Sequence, residues 1–164
     1  MPEHYHIRLA KEHHVFSAGH FITFSGNVCE RLHGHNYAVA VEIYGPLDEN
    51  HYVIDFIAAR DSLRVILDEL EHRMLLPDRH PLIKVTPDDR EVLVTFEERR
   101  WIFPLGDCAI LPVANTTAEL LARYIGLQLL AALEQRTGSQ PQRMLLSVDE
   151  NHGQCGVWEW RHEC

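Results

Sequence analysis

Apolar and polar residues alternate along Asn36-Tyr37-Ala38-Val39-Ala40-Val41-Glu42-Ile43-Tyr44, and the alternation stops at Gly45-Pro46. A period of two closed by a turn dipeptide predicts a half-buried strand over 36–45. Residues 5–17 alternate less cleanly and predict a first strand. From 56 onward the period lengthens: Phe56, Ala59, Leu63, Ile66, Leu67 and Leu70 recur at three- and four-residue steps. That stripe predicts a helix from Phe56 to Met74. Thr116 and Glu119 have the spacing of a capping box, which predicts a second helix running to just before Gly138. Between the helices, the runs Glu91 to Phe96 and Trp101 to Pro104 flank Glu97-Glu98-Arg99-Arg100. They predict a β-hairpin inserted at about 79–111. Arg143 to Glu150 and Gly156 to Arg161 read as two closing strands.

The predicted order is ββα, inserted hairpin, αββ, without an internal repeat or a low-complexity linker. Paired strands with helices on one face make an α+β sandwich. At 164 residues the chain is the size of one domain, 1–164. A two-layer domain this small leaves sheet edges exposed as a monomer, so self-association is physically reasonable.

Composition narrows the function classes. Hydrophobic residues make up 46%, ordinary for a globular protein, and no stretch is apolar enough to span a membrane. A net charge of −9 argues against nucleic-acid binding, which needs a basic face to neutralise phosphates. The start, Met1-Pro2-Glu3-His4-Tyr5-His6, lacks the charged and apolar regions of a secretory signal. With no such signal, the four cysteines (Cys29, Cys108, Cys155, Cys164) read as free thiols in a reducing cytoplasm.

The twelve histidines include the most informative stretch, His33-Gly34-His35. On a strand, residues i and i+2 share a face. Three neutral imidazoles plus a water make an open zinc site, and His20 is the candidate third ligand. Cys29, four residues before His33, is a candidate catalytic thiol, since a metal and an imidazole nearby lower a thiol's pKa. The plainer readings are polar histidines on an exposed strand, and a buried structural cysteine or a fourth ligand that closes the site.

Phe16-Ser17-Ala18-Gly19-His20 and Cys29-Glu30-Arg31-Leu32-His33-Gly34-His35-Asn36-Tyr37 resemble the 6-pyruvoyltetrahydropterin synthase and 6-carboxytetrahydropterin synthase family. Val53-Ile54-Asp55-Phe56, Leu70-Glu71-His72-Arg73, Asn115-Thr116-Thr117-Ala118-Glu119-Leu120 and Val148-Asp149-Glu150-Asn151 follow in the family's order. The matches span roughly 5–75 and 112–160. Two departures stand out: Glu71 occupies the place of the usual aspartate, and the 79–111 insert is longer than the family's connection.

The resemblance implies the tunnelling fold, an antiparallel four-stranded sheet with two helices on one face. It implies assembly into trimers or hexamers with active sites between subunits. It implies Zn²⁺ on His20, His33 and His35, with Cys29 as general base, His72 as proton relay and Glu71 orienting it. Glu150 would anchor the pterin, with Thr116 or Thr117 assisting. Helix capping accounts for Thr116 and Glu119 equally well, a cap position for His72, and an exposed strand end for Glu150. The Cys-x-x-x-His-x-His spacing is that of the carboxytetrahydropterin synthases of queuosine biosynthesis, acting on 7,8-dihydroneopterin triphosphate. Other branches eliminate triphosphate to give the pyruvoyl product, or act as side-chain aldolases with glutamate replacing the cysteine. A non-catalytic zinc- or pterin-binding oligomer is the alternative of another class.

Overall fold

In the computed structural model, which describes residues 3–26 and 28–163, the first half of the chain forms mostly strands. These are β1 (Tyr5–Leu9), β2 (Val15–His20), the two-residue β3 (Thr23–Phe24) and β4 (Val28–Cys29), and the long β5 (His33–Gly45). Helix α1 (Phe56–Asp68) leads into β6 (Arg73–Pro77), then β7 (Lys84–Pro87), β8 (Glu91–Phe96) and β9 (Arg99–Pro104). A single 3-10 turn, Leu105–Asp107, connects to β10 (Cys108–Leu111). Helix α2 (Ala118–Thr137), β11 (Arg143–Asp149) and β12 (Cys155–Arg161) complete the chain. Asn27 in the loop and Cys164 at the end lie outside the described residues.

The main sheet has the order β10-β6-β2-β5-β11-β12. Its centre, β2-β5-β11-β12, is the predicted four-stranded antiparallel sheet. Strand β1 pairs with the far end of β5, on the edge that β2 occupies near His33. The predicted first strand over 5–17 is thus two strands, separated at Ala10–His14. Alternate residues of β5, Tyr37, Val39, Val41 and Ile43, are buried against the helices. They join Leu63, Leu67, Leu121, Ile125, Leu129 and Leu146 in one core. No helix among the described residues is long and apolar enough to cross a membrane.

Both helices start on side-chain caps. Asp55 accepts the Ile57 N–H, and the Thr117 hydroxyl accepts the Leu120 N–H. The expected capping box between Thr116 and Glu119 does not form, because the chain turns helical one residue later and Thr116 is drawn inside. Helix α2 ends where expected, at Gly138, whose φ of 75° is the left-handed conformation that glycine adopts freely.

Helix α1 ends at Asp68, not Met74. The chain turns through Leu70–His72 and re-enters the sheet as β6, parallel to β2 and β10. Met74, Leu75 and Leu76 are all buried, because β6 is covered on both faces. Leu75 faces the helical core, while Met74 and Leu76 face a second core under the insert. A strand buried on both faces reads as a continuous apolar run, which the helical stripe absorbs.

The insert is larger than a hairpin. Strands β7, β8 and β9 form a three-stranded antiparallel sheet. Val92, Val94 and Phe96 close it onto Phe21, Met74, Leu76, Ile83 and Cys108. His80 secures its entry: Nδ1 accepts the N–H groups of Leu82 and Ile83, and Nε2 lies 2.7 Å from the Thr23 hydroxyl.

Helix α2 crosses β12 at Gly126, where a Cβ would collide with the Trp158 ring. Replacing a mid-helix glycine by alanine ordinarily gains about 1 kcal/mol. Here overpacking reverses the sign, and Gly126→Ala is expected to lower stability by about 1–3 kcal/mol. Urea unfolding midpoints measure it, and a variant as stable as the parent would refute the close packing.

Candidate functional site

The pairing of β2 with β5 sets His20 opposite His33 and Ala18 opposite His35. All three imidazoles therefore emerge on the face that, further along the strands, carries Phe16 and Tyr37 into the core. Alanine opposite His35 leaves room between the rings. Their ligand atoms lie within 4.8 Å of one another, close enough to share a metal ion. Tyr37 forms the floor, with its ring edge-on to His20 and His35 at 5.7 and 5.4 Å.

Two rings are held in the tautomer that leaves Nε2 available to a metal. The Nδ1–H of His20 donates to the Thr116 carbonyl at 2.9 Å, and that of His33 to the Arg31 carbonyl at 2.8 Å. Each Nε2 is left with a free lone pair, and the two Nε2 atoms stand 3.2 Å apart. Two facing lone pairs repel unless a cation or proton lies between them. Tetrahedral zinc with bonds of about 2.0–2.1 Å holds two nitrogens about 3.3 Å apart. Burial pulls the His20 pKa down to about 4, against the opposing pull of the Thr116 carbonyl, so the ring is neutral at pH 7. The donor set, its geometry and the neutral His20 ring thus fit a zinc ion.

His33 and His35 line a cavity of about 690 Å³, together with Ser17, Asn36, His72 and Asp107. Glu71 and His72 lie side by side in a turn and not on a helix end. Glu71 Oε2 accepts the Ser17 N–H at 2.8 Å, while Oε1 lies 3.2 Å from His72 Nε2. The longer carboxylate thus reaches the imidazole. His72 has φ 54°, in the left-handed region, held there by its own N–H on the Ser17 carbonyl at 2.7 Å. Its side chain is 80% exposed.

Glu150 lies elsewhere around β5. With Val15, Asp149 and His152 it lines a second cavity of about 510 Å³, which shares Gly34, His35 and Asn36 with the first. Both threonines have structural partners. Buried Thr116 donates its hydroxyl to the Phe21 carbonyl and holds His20 through its own carbonyl; Thr117 caps α2.

Cys29 differs from expectation. It stands outside the three-histidine cluster and does not line the larger cavity. It is half-buried, packed against the core beneath the insert. Burial raises its thiol pKa above the usual value, the Arg99 guanidinium pulls it down, and the Glu30 and Glu97 carboxylates add to the rise. The protein's own groups therefore do not produce the depressed thiol that the sequence suggested. The neighbouring Glu30, which sequence reasoning passed over, has Oε2 3.9 Å from His33 Nε2 and also accepts the Ile22 N–H. Its place three residues before His33 was the signal available.

Comparison with known proteins gives a consistent picture. The family model described as 6-pyruvoyl tetrahydropterin synthase matches residues 8–159. A Methanocaldococcus jannaschii protein provisionally named 6-carboxy-5,6,7,8-tetrahydropterin synthase is 31% identical over 140 residues, 85% of each chain. A Pyrococcus horikoshii protein named the same way is 35% identical over 139 residues, 83% of this chain and 80% of that one. Among solved structures, the 6-pyruvoyl tetrahydropterin synthase of Plasmodium vivax is similar with a TM-score of 0.89 at 25% identity, covering 98% of this chain and 100% of that one. The Plasmodium falciparum protein has a TM-score of 0.90 at 24% identity, with the same coverage.

Burial of neutral His20 links the site to stability. Its folded pKa of about 4 lies below the unfolded value, so its contribution is complete above pH ~6.5 and is lost as pH falls toward 4. The metal-free protein is expected to lose on the order of 3 kcal/mol across that window through this group. His14 and His80 are shifted downward too, mainly by burial, so His20→Gln should give a shallower acid profile, not a flat one. Urea midpoints measured from pH 7 to 4 test this, and equal slopes in parent and variant would rule it out.

Proposed function

Because the chain belongs to the 6-pyruvoyl tetrahydropterin synthase family, we propose that it is a zinc-dependent carbon–carbon lyase acting on 7,8-dihydroneopterin triphosphate. The product would be 6-carboxy-5,6,7,8-tetrahydropterin, with acetaldehyde and triphosphate released. The observation that carries this reading is the convergence of two tautomer-locked Nε2 atoms, 3.2 Å apart, in a three-histidine cluster. The names of the archaeal relatives support the choice of product.

His20, His33 and His35 would hold the zinc. Bound there, it supplies a Lewis acid that polarises the substrate's side-chain hydroxyls. Cys29 takes a side-chain proton as general base, and His72 relays protons with Glu71 fixing its orientation. Glu150 accepts two hydrogen bonds from the pterin's amino and N–H edge, a bidentate, charge-assisted contact. The 1–164 chain acts as one domain. The reading includes trimers or hexamers with active sites between subunits, and a cytoplasmic location in queuosine biosynthesis.

The position of Glu30 favours a second reading within the family. A carboxylate 3.9 Å from His33 Nε2 can serve as the base for aldolase-type cleavage of the dihydroneopterin side chain to the 6-hydroxymethyl product.

Incubating the zinc-loaded protein with 7,8-dihydroneopterin triphosphate and identifying products by mass spectrometry distinguishes these. Carboxytetrahydropterin with acetaldehyde supports the first reading. Cys29→Ala should then lower kcat by about 10²-fold or more with zinc content unchanged. A 6-hydroxymethyl product lost in Glu30→Gln but retained in Cys29→Ala supports the second. A pyruvoyl product, or no turnover by the folded, zinc-bound protein, would overturn both.

A further inference from the structure

The inserted sheet reaches the Cys29 segment through one side chain. Arg99, the first residue of β9, donates from Nη1 to the Cys29 carbonyl at 2.9 Å and from Nη2 to the Glu30 carbonyl at 3.0 Å. Among the described residues no carboxylate lies within ion-pairing distance of this guanidinium, so its fork is committed to two successive peptide carbonyls. Its plane is braced from behind, with Cζ 4.7 Å from the centroid of the Trp101 ring. Trp101 in turn stacks on Phe21 at 4.5 Å and 21°. Phe21 is fully buried and directly follows His20. One residue of the insert therefore touches the backbone of both Cys29 and Glu30, and is tied through two stacked rings to the neighbour of a histidine of the cluster.

The segment it grips has only a short ladder of its own. Strands β3 and β4 are two residues each, with Thr23 paired to Cys29, and Phe24, Val28 and Leu32 are exposed. A pairing this short is marginal by itself. The Glu30 N–H on the Ile22 carbonyl and the Glu30 carboxylate on the Ile22 N–H close the ladder. On the paired strand, Asn115 Nδ2 donates to the Thr23 carbonyl at 3.1 Å and His80 meets the Thr23 hydroxyl. Among the described residues, the Cys29–Glu30 stretch itself is located from outside the ladder by the guanidinium and by the packing of Cys29 on the second core.

We propose that Arg99 is a positioning residue: its guanidinium, presented by the inserted sheet, fixes the Cys29–Glu30 backbone relative to the three-histidine centre. The proposal rests on the lyase reading for what Cys29 and Glu30 do, though not for how they are held. Arginine suits the task because its planar fork makes two parallel hydrogen bonds while stacking on an aromatic ring. Lysine keeps the charge but has neither property.

The test uses Arg99→Lys and Arg99→Ala in the full chain, zinc-loaded for kinetics and metal-free for labelling. Iodoacetamide alkylation of Cys29 is followed by peptide mass spectrometry, which separates it from buried Cys108 and exposed Cys155. Arg99→Lys should keep the parent's urea midpoint and zinc content. Loss of the fork should speed Cys29 alkylation by about threefold or more and lower kcat about tenfold, with KM within about twofold. Arg99→Ala should do the same or more. If Arg99→Lys retains the parent's alkylation rate and kcat, the positioning role is wrong. If the parent itself does not turn over the pterin triphosphate, the lyase reading fails and alkylation alone decides the role of Arg99. If Arg99→Ala does not fold, the lysine variant decides.

Discussion

The register of β2 against β5 is the constraint on which the rest of the site depends. His20 faces His33 across that pair, and Ala18 faces His35. A slip of one residue would move every side chain of one strand to the opposite face of the sheet. The slip is prevented by burial further along the same strands. Phe16 and Tyr37 stack at 4.8 Å beneath the helices, and Val39, Val41 and Ile43 continue the stripe into the core. The energy that aligns the imidazoles therefore comes from the hydrophobic core, not from the histidines. The cluster is the last polar step of an apolar ladder, at the point where helical cover runs out.

Three distant stretches of chain meet at this step. Helix α2 begins close enough for the Thr116 carbonyl to fix the His20 ring, so the start of the helix and the tautomer of a candidate ligand are set together. The turn after α1 returns through Glu71 and His72, both bonded to Ser17 in β2, before the chain re-enters as β6. The insert covers the other face of β6 and reaches back to Cys29 and Glu30 through Arg99. Each contact is a hydrogen bond to or from backbone, which makes geometry at the site depend on elements tens of residues away.

What was legible in the sequence follows from this arrangement. His33 and His35, the start and end of α2 to within two residues, and the antiparallel strands have local signals: parity on a strand, a turn dipeptide, a terminal glycine; Glu71 and His72 stand out only through the family resemblance. The tail of α1 was misread because Met74-Leu75-Leu76 belongs to a strand buried on both faces, and such a run carries no period to separate it from a helix. The capping box failed because Thr116 is claimed by the core and by His20, a tertiary demand stronger than the local preference. The third strand of the insert was missed because Lys84–Pro87 is short and mostly exposed. Glu30 had only its place three residues before His33 as a signal. Nothing local marks Arg99, whose role exists only once the sixty-nine residues between it and Glu30 are closed by folding.

The electrostatics of the site lead to a division of labour between ligands and thiol. Burial acts on both, and in opposite senses for function. For His20 it lowers the pKa and leaves a neutral ring, the form a metal would bind, at neutral pH. For Cys29 it raises the pKa of the thiol in the metal-free protein. Arg99 opposes that rise, but its hydrogen bonds are spent on carbonyls and not on the sulfur. Glu30, on the other side, adds negative charge near both Cys29 and the Nε2 of His33. A carboxylate beside a thiol and a cluster of three imidazoles disfavours a thiolate in the metal-free protein and favours a cation. The same surroundings that push the thiol pKa up in the metal-free protein thus strengthen the case that positive charge belongs at the three histidines, since charge at that point reconciles the facing lone pairs with the neighbouring carboxylate.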